Sequence, residues 1–227
     1  DIARENFARL GLGNTEVVCA DSVAFLNTVS HVSLIYLDPA RRDNQGARTF
    51  AIADCTPDVV SLRDKLLAKA DKVMIKLSPM LDWHKAIVDL QGTVREVHIV
   101  SVGGECKELL LVLAALDGAA SSADTGSDCV EAGVRVCCVD IMAKADAEGE
   151  YKRSEFCYTI GGAADNPPTP STPNSQPSTL NSQFLLEPNA SIMKAGCFSE
   201  LGKAYGIRAI NVPYTHLRDH ETGRKSV

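Results

Sequence analysis

The sequence predicts an α/β protein: an open sheet of mainly parallel strands, followed by a second, smaller α+β domain. Three observations carry that expectation. Apolar, β-prone runs alternate with helical patterns as far as Gly92, and several of the runs stop abruptly at a polar or proline turn, as at Ala20-Asp21, Leu37-Asp38-Pro39 and Leu77-Ser78-Pro79. Residues 94–102 and 106–115 are two further apolar runs joined by Gly103-Gly104 with no helix between them, which predicts an antiparallel hairpin at the end of an otherwise parallel sheet. Residues 117–128, DGAASSADTGSD, are small and polar and mark a boundary. The expected division is a first domain over residues 1–116, a linker over 117–130 and a second domain over 131–227.

Composition sets the class. A chain of 227 residues with 45% hydrophobic side chains can bury a substantial core, and its formal charge of -6 argues against a strongly basic nucleic-acid-coating protein while leaving room for a local basic patch. The eight cysteines include no C-x-x-C pair, and the five histidines do not stand at zinc-finger spacing from them, so reduced, mainly buried thiols and no metal site are expected. With no signal peptide and no apolar run approaching ~18 residues, the expectation is a soluble cytoplasmic protein without a membrane partner. A chain opening DIARENF without methionine is read as an N-terminally truncated piece.

The elements follow in order. Residues 1–10 form the end of an amphipathic helix stopped at Gly11-Leu12-Gly13. Residues 15–20, TEVVCA, read as a short strand, and Asp21-Ser22 can cap a helix over 23–28. Residues 32–37 form the next buried strand, ending at Asp38-Pro39. A polar loop leads to a helix over about 56–69 with Pro57 in its first turn. Residues 72–77, KVMIKL, are a buried strand, and a helix bearing Trp83, Ile87 and Leu90 runs to Gly92. In the second domain, 134–141 and 155–160 read as strands. Residues 161–183 are rich in Pro, Ser, Thr and Asn and form a disordered insertion. A helix capped by Asn189 or Ser191 carries Ile192 to Tyr205 and stops at Gly206, and 207–212 make a last strand.

The stretch His31 to Arg42, HVSLIYLDPARR, organises the rest. Its apolar run delivers a carboxylate to the C-terminal end of a strand, the edge at which open α/β sheets bind ligands, so Asp38 is a site candidate by position and by charge. The plainer alternative is that Asp38 caps a loop while Arg41 and Arg42 are solvated. Lys76, at the end of its own strand, could meet phosphate or simply be a solvated strand-end lysine. Asp21 caps a helix or meets a ligand. Gly103-Gly104-Glu105-Cys106-Lys107 is read as a hairpin, not a phosphate loop or reactive thiol site. Glu187-Pro188-Asn189 is read as a helix cap, and Trp83 and His84 as a packing and a surface residue.

Arg4-Glu5-Asn6 before Leu10-Gly11, Val17-Val18-Cys19-Ala20-Asp21, and Leu37-Asp38-Pro39 together resemble the middle and end of a class I S-adenosylmethionine-dependent methyltransferase, whose fold is Rossmann-like. More narrowly, YLDPARR at 36–42, Lys76-Leu77-Ser78-Pro79-Met80 and Val102-Gly103-Gly104-Glu105 resemble a bacterial methyltransferase-like family with a small THUMP-like, or ferredoxin-like, C-terminal domain. Glu187-Pro188-Asn189-Ala190, Lys194-Ala195-Gly196 and Thr215-His216-Leu217 resemble that second domain.

The resemblance implies a cofactor, S-adenosyl-L-methionine, with Asp21 and Ser22 near its adenine. It implies that Asp38 and Pro39 orient an acceptor amine for in-line transfer, because the sulfonium is already an activated donor. Where amino-methylating members have a second proline and an aromatic ring, this chain has Ala40 and Arg41. A guanidinium plane can stack on a base or clamp phosphate, so Arg41, Arg42 and Lys76 are the substrate-binding candidates. The implied substrate is RNA, by analogy with THUMP domains. The glycine-rich turn that holds the methionine end of the cofactor in such enzymes is not replaced by Gly11-Leu12-Gly13, which follows a helix. These 227 residues are therefore expected to bind cofactor weakly or not at all. The alternative is a non-catalytic RNA- or protein-binding module with a degenerate methyltransferase fold.

Overall fold

The computed structural model describes residues 2–40, 52–115, 130–145, 149–162 and 186–207. The chain divides into two compact units, one built from residues up to 98 together with 107–134, the other from 99–106 together with 135 onward.

In the first unit, helix α1 (Ile2–Arg9) and helix α2 (Ser22–Thr28) precede strand β1 (Val32–Leu37). A short 3-10 turn (Ile52–Asp54) leads to α3 (Val59–Lys69), β2 (Ala70–Leu77) and α4 (Trp83–Asp89). Strand β3 (Val94–Val102) begins in this unit, and β4 (Glu105–Leu113) returns through it. β1 and β2 are parallel, with Leu37 opposite Ile75, and β4 runs antiparallel to β2, with Lys76 opposite Leu110. The returning strand thus lies between β2 and β3, so the hairpin predicted from the glycine pair inserts its second arm into the sheet. Gly103 and Gly104 both have positive φ, the conformation a two-residue hairpin turn requires.

The core follows the period of two along the strands. Val73, Ile75 and Leu77 of β2 and Leu109, Leu111 and Leu113 of β4 are buried, and α3 and α4 contribute Val59, Leu66, Trp83, Ala86 and Ile87. Helices α2, α3 and α4 each start on an aspartate. Asp21, Asp58 and Asp82 stand at the N-caps, and their carboxylates accept from backbone N–H groups of the first turn. Asp58, not Pro57, opens α3, so the predicted start at 56 moves to Val59.

Two expectations for this unit are corrected. Residues 15–20 form no strand; the Arg4 guanidinium donates to the Val17 carbonyl at 3.0 Å, and among the described residues no neighbouring strand offers them a ladder. β1 was expected to be buried, yet Leu34 and Tyr36 are 49% and 53% exposed, since among the described residues β1 pairs with β2 alone and one of its faces is open. The amphipathic pattern of α1 likewise buries no side chain.

In the second unit, β5 (Arg135–Ile141) and β6 (Arg153–Thr159) form an antiparallel pair, with Val136 opposite Tyr158 and Cys138 opposite Phe156. The C-terminal end of β3 lies beside β5; Ser101, fully buried, donates to Asp140, and the Gly103 amide donates to the Ile141 carbonyl at 3.0 Å. Helix α5 (Ala190–Ala195) packs on β5 and is followed by α6 (Phe198–Tyr205). Asn189 caps α5, accepting from the Ile192 amide at 3.0 Å and from the Ser191 hydroxyl at 2.7 Å. The single helix expected over 192–205 is instead two. Gly196 adopts the left-handed conformation that ends α5, and its own amide bonds back to the Ile192 carbonyl. Ile207 lies outside any strand. The expected linker at 117–130, apart from Val130, nearly all of the insertion at 161–183, the rest of the strand expected at 207–212 and the tail lie outside the described residues.

Candidate active site

The parallel pair β1 and β2 ends on two charged side chains. Because Leu37 is paired with Ile75, the next residues, Asp38 just past β1 and Lys76 near the end of β2, lie side by side, and Lys76 Nζ lies 2.9 Å from Asp38 Oδ2. Glu108, on the antiparallel strand β4, places Oε2 3.8 Å from the same ammonium. Alternation explains the meeting. Tyr36, Met74 and Lys76 share the open face of the sheet, opposite the buried Val73, Ile75 and Leu77. The Lys76 side chain is 24% exposed, and its pKa is raised above the ordinary lysine value. The hydrogen bond to Asp38 is the main cause, partly opposed by desolvation and reinforced by the charge of Glu108. The cluster is a fixed carboxylate held by a fixed cation at the carboxyl edge of parallel strands.

Pro39 is buried, and Ala40 makes two backbone bonds to Thr56: its amide donates to the Thr56 carbonyl at 2.8 Å, and its carbonyl accepts from the Thr56 amide at 3.0 Å. This bridge fixes the exit of β1 against the start of the α3 region. Thr56 also lines a cavity of about 440 Å³, together with Asp21, Ser22, Val23, Pro57, Asp58, Ser61 and Leu62. The cavity therefore sits where the starts of α2 and α3 converge. Asp21 Oδ1 accepts from the Ala24 amide at 2.8 Å, and Asp58 Oδ1 accepts from the Val60 and Ser61 amides at 3.0 and 3.2 Å. These carboxylates are held in place by their own helices, and a carboxylate has acceptor sites beyond the one or two used in a cap.

The structure thus brings Asp38 together with Lys76, places Pro39 beside them, and puts Asp21 and Ser22 in the wall of a cavity tied to the Asp38 loop. Arg41 and Arg42 lie outside the described residues. Glu108, Thr56 and Asp58 were missed by sequence reasoning. Asp58 had a signal, an N-cap residue directly before the apolar Val59-Val60 of a helix. Glu108 had none, because its nearness to Lys76 follows from the insertion of β4 beside β2. The loop of Glu105, Cys106 and Lys107 begins β4, as the hairpin reading expected. Trp83 is buried and stacks on His84 with ring centroids 3.5 Å apart, while His84 Nδ1 faces Glu131 at 3.0 Å on the surface. Both are packing and surface residues.

Comparison with known proteins adds the class of fold. Residues 184–217 match the family of a ferredoxin-like domain. The chain is similar to the crystal structure of a candidate methyltransferase from Porphyromonas gingivalis W83, with a TM-score of 0.57 and 28% identity over 83% of this chain. The match spans 40% of the length of that protein. No curated protein matches the chain. The fold is mixed α/β with a ferredoxin-like C-terminal region, and its likeness is to a protein described as a methyltransferase. Among the described residues no helix is long and apolar enough to cross a membrane.

Proposed function

We propose that the protein is part of a class I S-adenosylmethionine-dependent methyltransferase acting on RNA, with Asp38 as the residue that orients the acceptor. The observation that carries this reading is the coupling of the two halves of the site. The Asp38-Pro39-Ala40 exit of β1 is pinned through Thr56 to the cavity that contains Asp21 and Ser22. The likeness to the candidate methyltransferase supports it.

The residues present fit the adenosine end of such a cofactor. A cavity of about 440 Å³ falls in the range of small-molecule sites, with apolar walls from Val23, Pro57 and Leu62 for a purine face and carboxylates from Asp21 and Asp58 to accept from an exocyclic amine. When bound, the cofactor supplies an activated methyl group on a sulfonium. The chain's own contribution is orientation. Lys76 pairs with Asp38 and positions it, and the carboxylate, whose acceptor capacity one ammonium does not exhaust, takes a hydrogen bond from the acceptor N–H, aiming the nitrogen lone pair. Pro39 keeps the exit rigid and removes a competing backbone donor. Arg41 and Arg42 follow directly in sequence and supply planar cations for a nucleotide's base or phosphate. RNA as the substrate rests on analogy alone, from the resemblance of the C-terminal sequence to THUMP-like modules.

The test is calorimetric titration with S-adenosylmethionine of the gene product expressed from its natural start, beside these 227 residues. Saturable binding by the former and weak or no binding by the latter is expected. Absence of binding in both contradicts the enzyme reading and leaves the non-catalytic binding module, for which Ala40 and Arg41 at the positions of a proline and an aromatic ring are the supporting observation.

A further inference from the structure

We propose that Cys137, Cys157 and Glu155 form a binding site for one soft divalent cation of the zinc class, built on one face of the β5–β6 pair. Cys137 and Cys157 are direct cross-strand partners, and Glu155 lies two residues before Cys157, so period-two alternation puts all three side chains on the same face. Their ligand atoms all lie within 4.8 Å of one another, and the Cys157 thiol donates to Glu155 Oε1 at 3.1 Å. Tetrahedral coordination with zinc–sulfur bonds of about 2.3 Å and a zinc–oxygen bond of about 2.1 Å calls for separations of roughly 3.5–3.8 Å between ligand atoms. The widest separation therefore closes by up to about 1 Å and the Cys157–Glu155 contact at 3.1 Å opens slightly, adjustments that side-chain rotation of the exposed Glu155 and the half-buried Cys157 supplies, while the buried Cys137 stays as anchor.

Arg135, two residues before Cys137 on β5, directs its guanidinium to both sulfurs. This arginine is exposed and can swing into solvent when a metal ion takes its place. Two sulfurs and one carboxylate give three protein ligands with the fourth position open to water, and the thiolates select zinc-like ions over magnesium or calcium. On binding, each thiol gives up its proton to solvent as a metal–sulfur bond forms, with no change of oxidation state. The nearby pair Cys138 and Cys197, whose sulfurs are 4.0 Å apart in the interior, differs. Cys138 points to the opposite face of β5, and the described residues bring no third ligand to it.

Cadmium titration of the reduced full chain, followed by the ultraviolet thiolate-to-metal charge-transfer band, tests the proposal. One equivalent of Cd²⁺ should produce the band, and prior loading with Zn²⁺ should slow or reduce its appearance by competition for the same thiolates. Cys157→Ser should remove about half of the band or all of it, as expected for loss of one of two thiolates. Cys138→Ser should leave it intact. Glu155→Gln, a change at an exposed position that spares the fold, should weaken cadmium affinity by about tenfold or more. A band that is absent, that persists undiminished in Cys157→Ser, or whose affinity is unchanged in Glu155→Gln overturns the site. So does rapid formation of a Cys137–Cys157 disulfide that no added metal suppresses.

Discussion

Lys76 Nζ and Asp38 Oδ2 stand 2.9 Å apart at the ends of two parallel strands, so the lysine is the fixed counterion of the carboxylate placed at the ligand-binding edge. On the proposed function, Lys76 positions Asp38, where the sequence offered phosphate binding or simple solvation. In the full-length gene product, Lys76→Met should lower the rate of methyl transfer by about 10–100-fold through misplacement of Asp38, with cofactor affinity unchanged. Single-turnover rates and calorimetric affinities, measured together, check this. Equal loss of both would make Lys76 part of the cofactor site.

The pH dependence of that pair has a definite sign. The Lys76 pKa is raised, so the ammonium's contribution is fully present below the ordinary lysine value of about 10.4 and is lost only as pH rises through the higher folded value. The Lys76→Met effect on rate should therefore be constant between about pH 6 and about pH 9. A pH–rate comparison of the two proteins reads it.

Asp21 serves two purposes that two substitutions separate. Asp21→Ala removes the acceptor of the Ala24 amide and should cost about 1 kcal/mol of stability, whereas Asp21→Ser keeps an N-cap and should cost far less. If the carboxylate also meets the cofactor, both variants of the full-length gene product lose affinity for S-adenosylmethionine. Denaturation midpoints and titrations on the same samples distinguish a cap alone from a cap that is also a ligand.

Much of the first unit was legible because its signals are local. Asp21 before its helix, the apolar run of β2 and the glycine pair at 103–104 each fix backbone geometry within a few residues, and β1, β3 and the Asp21 cap lie where those signals put them, whereas the caps at Asp58 and Asp82 were missed. What depends on tertiary partners was not legible. The run at 15–20 has the composition of a strand but pairs with none among the described residues, and β1 has an apolar pattern without a covered second face. The break at Gly196 was hidden because the apolar spacing continues across it. In the site, Asp38 and Asp21 were found from strand ends and helix starts, while Glu108 and Thr56 reach it through strand order and a loop bridge.

The two glycines of the β3–β4 turn should differ in their tolerance. At Gly103, φ is +59° and a Cβ would lie 2.8 Å from Ala143 Cβ, whereas at Gly104, φ is +84° with open space around it. Gly104→Ala should cost about 1–2 kcal/mol from left-handed backbone strain, and Gly103→Ala should cost more because a clash is added. Chemical denaturation of the two variants measures the difference.

His31 supplies a second titration of the same sign in a lower pH range. Its hydrogen bond at 2.8 Å to Asp71 raises the imidazole pKa above 6.5, so the pair's contribution is complete below about pH 6.5 and disappears as pH rises through the folded value. Asp71→Asn should return the His31 titration, followed by NMR, to the ordinary range.

The most direct measurement is transfer of labelled methyl from S-adenosylmethionine to bacterial RNA by the full-length gene product and by its Asp38→Ala variant. The account predicts label in RNA with the wild-type protein, none with the variant, and the same cofactor affinity for both. Undiminished transfer by Asp38→Ala, or cofactor binding by the wild type with no label reaching RNA, would contradict it.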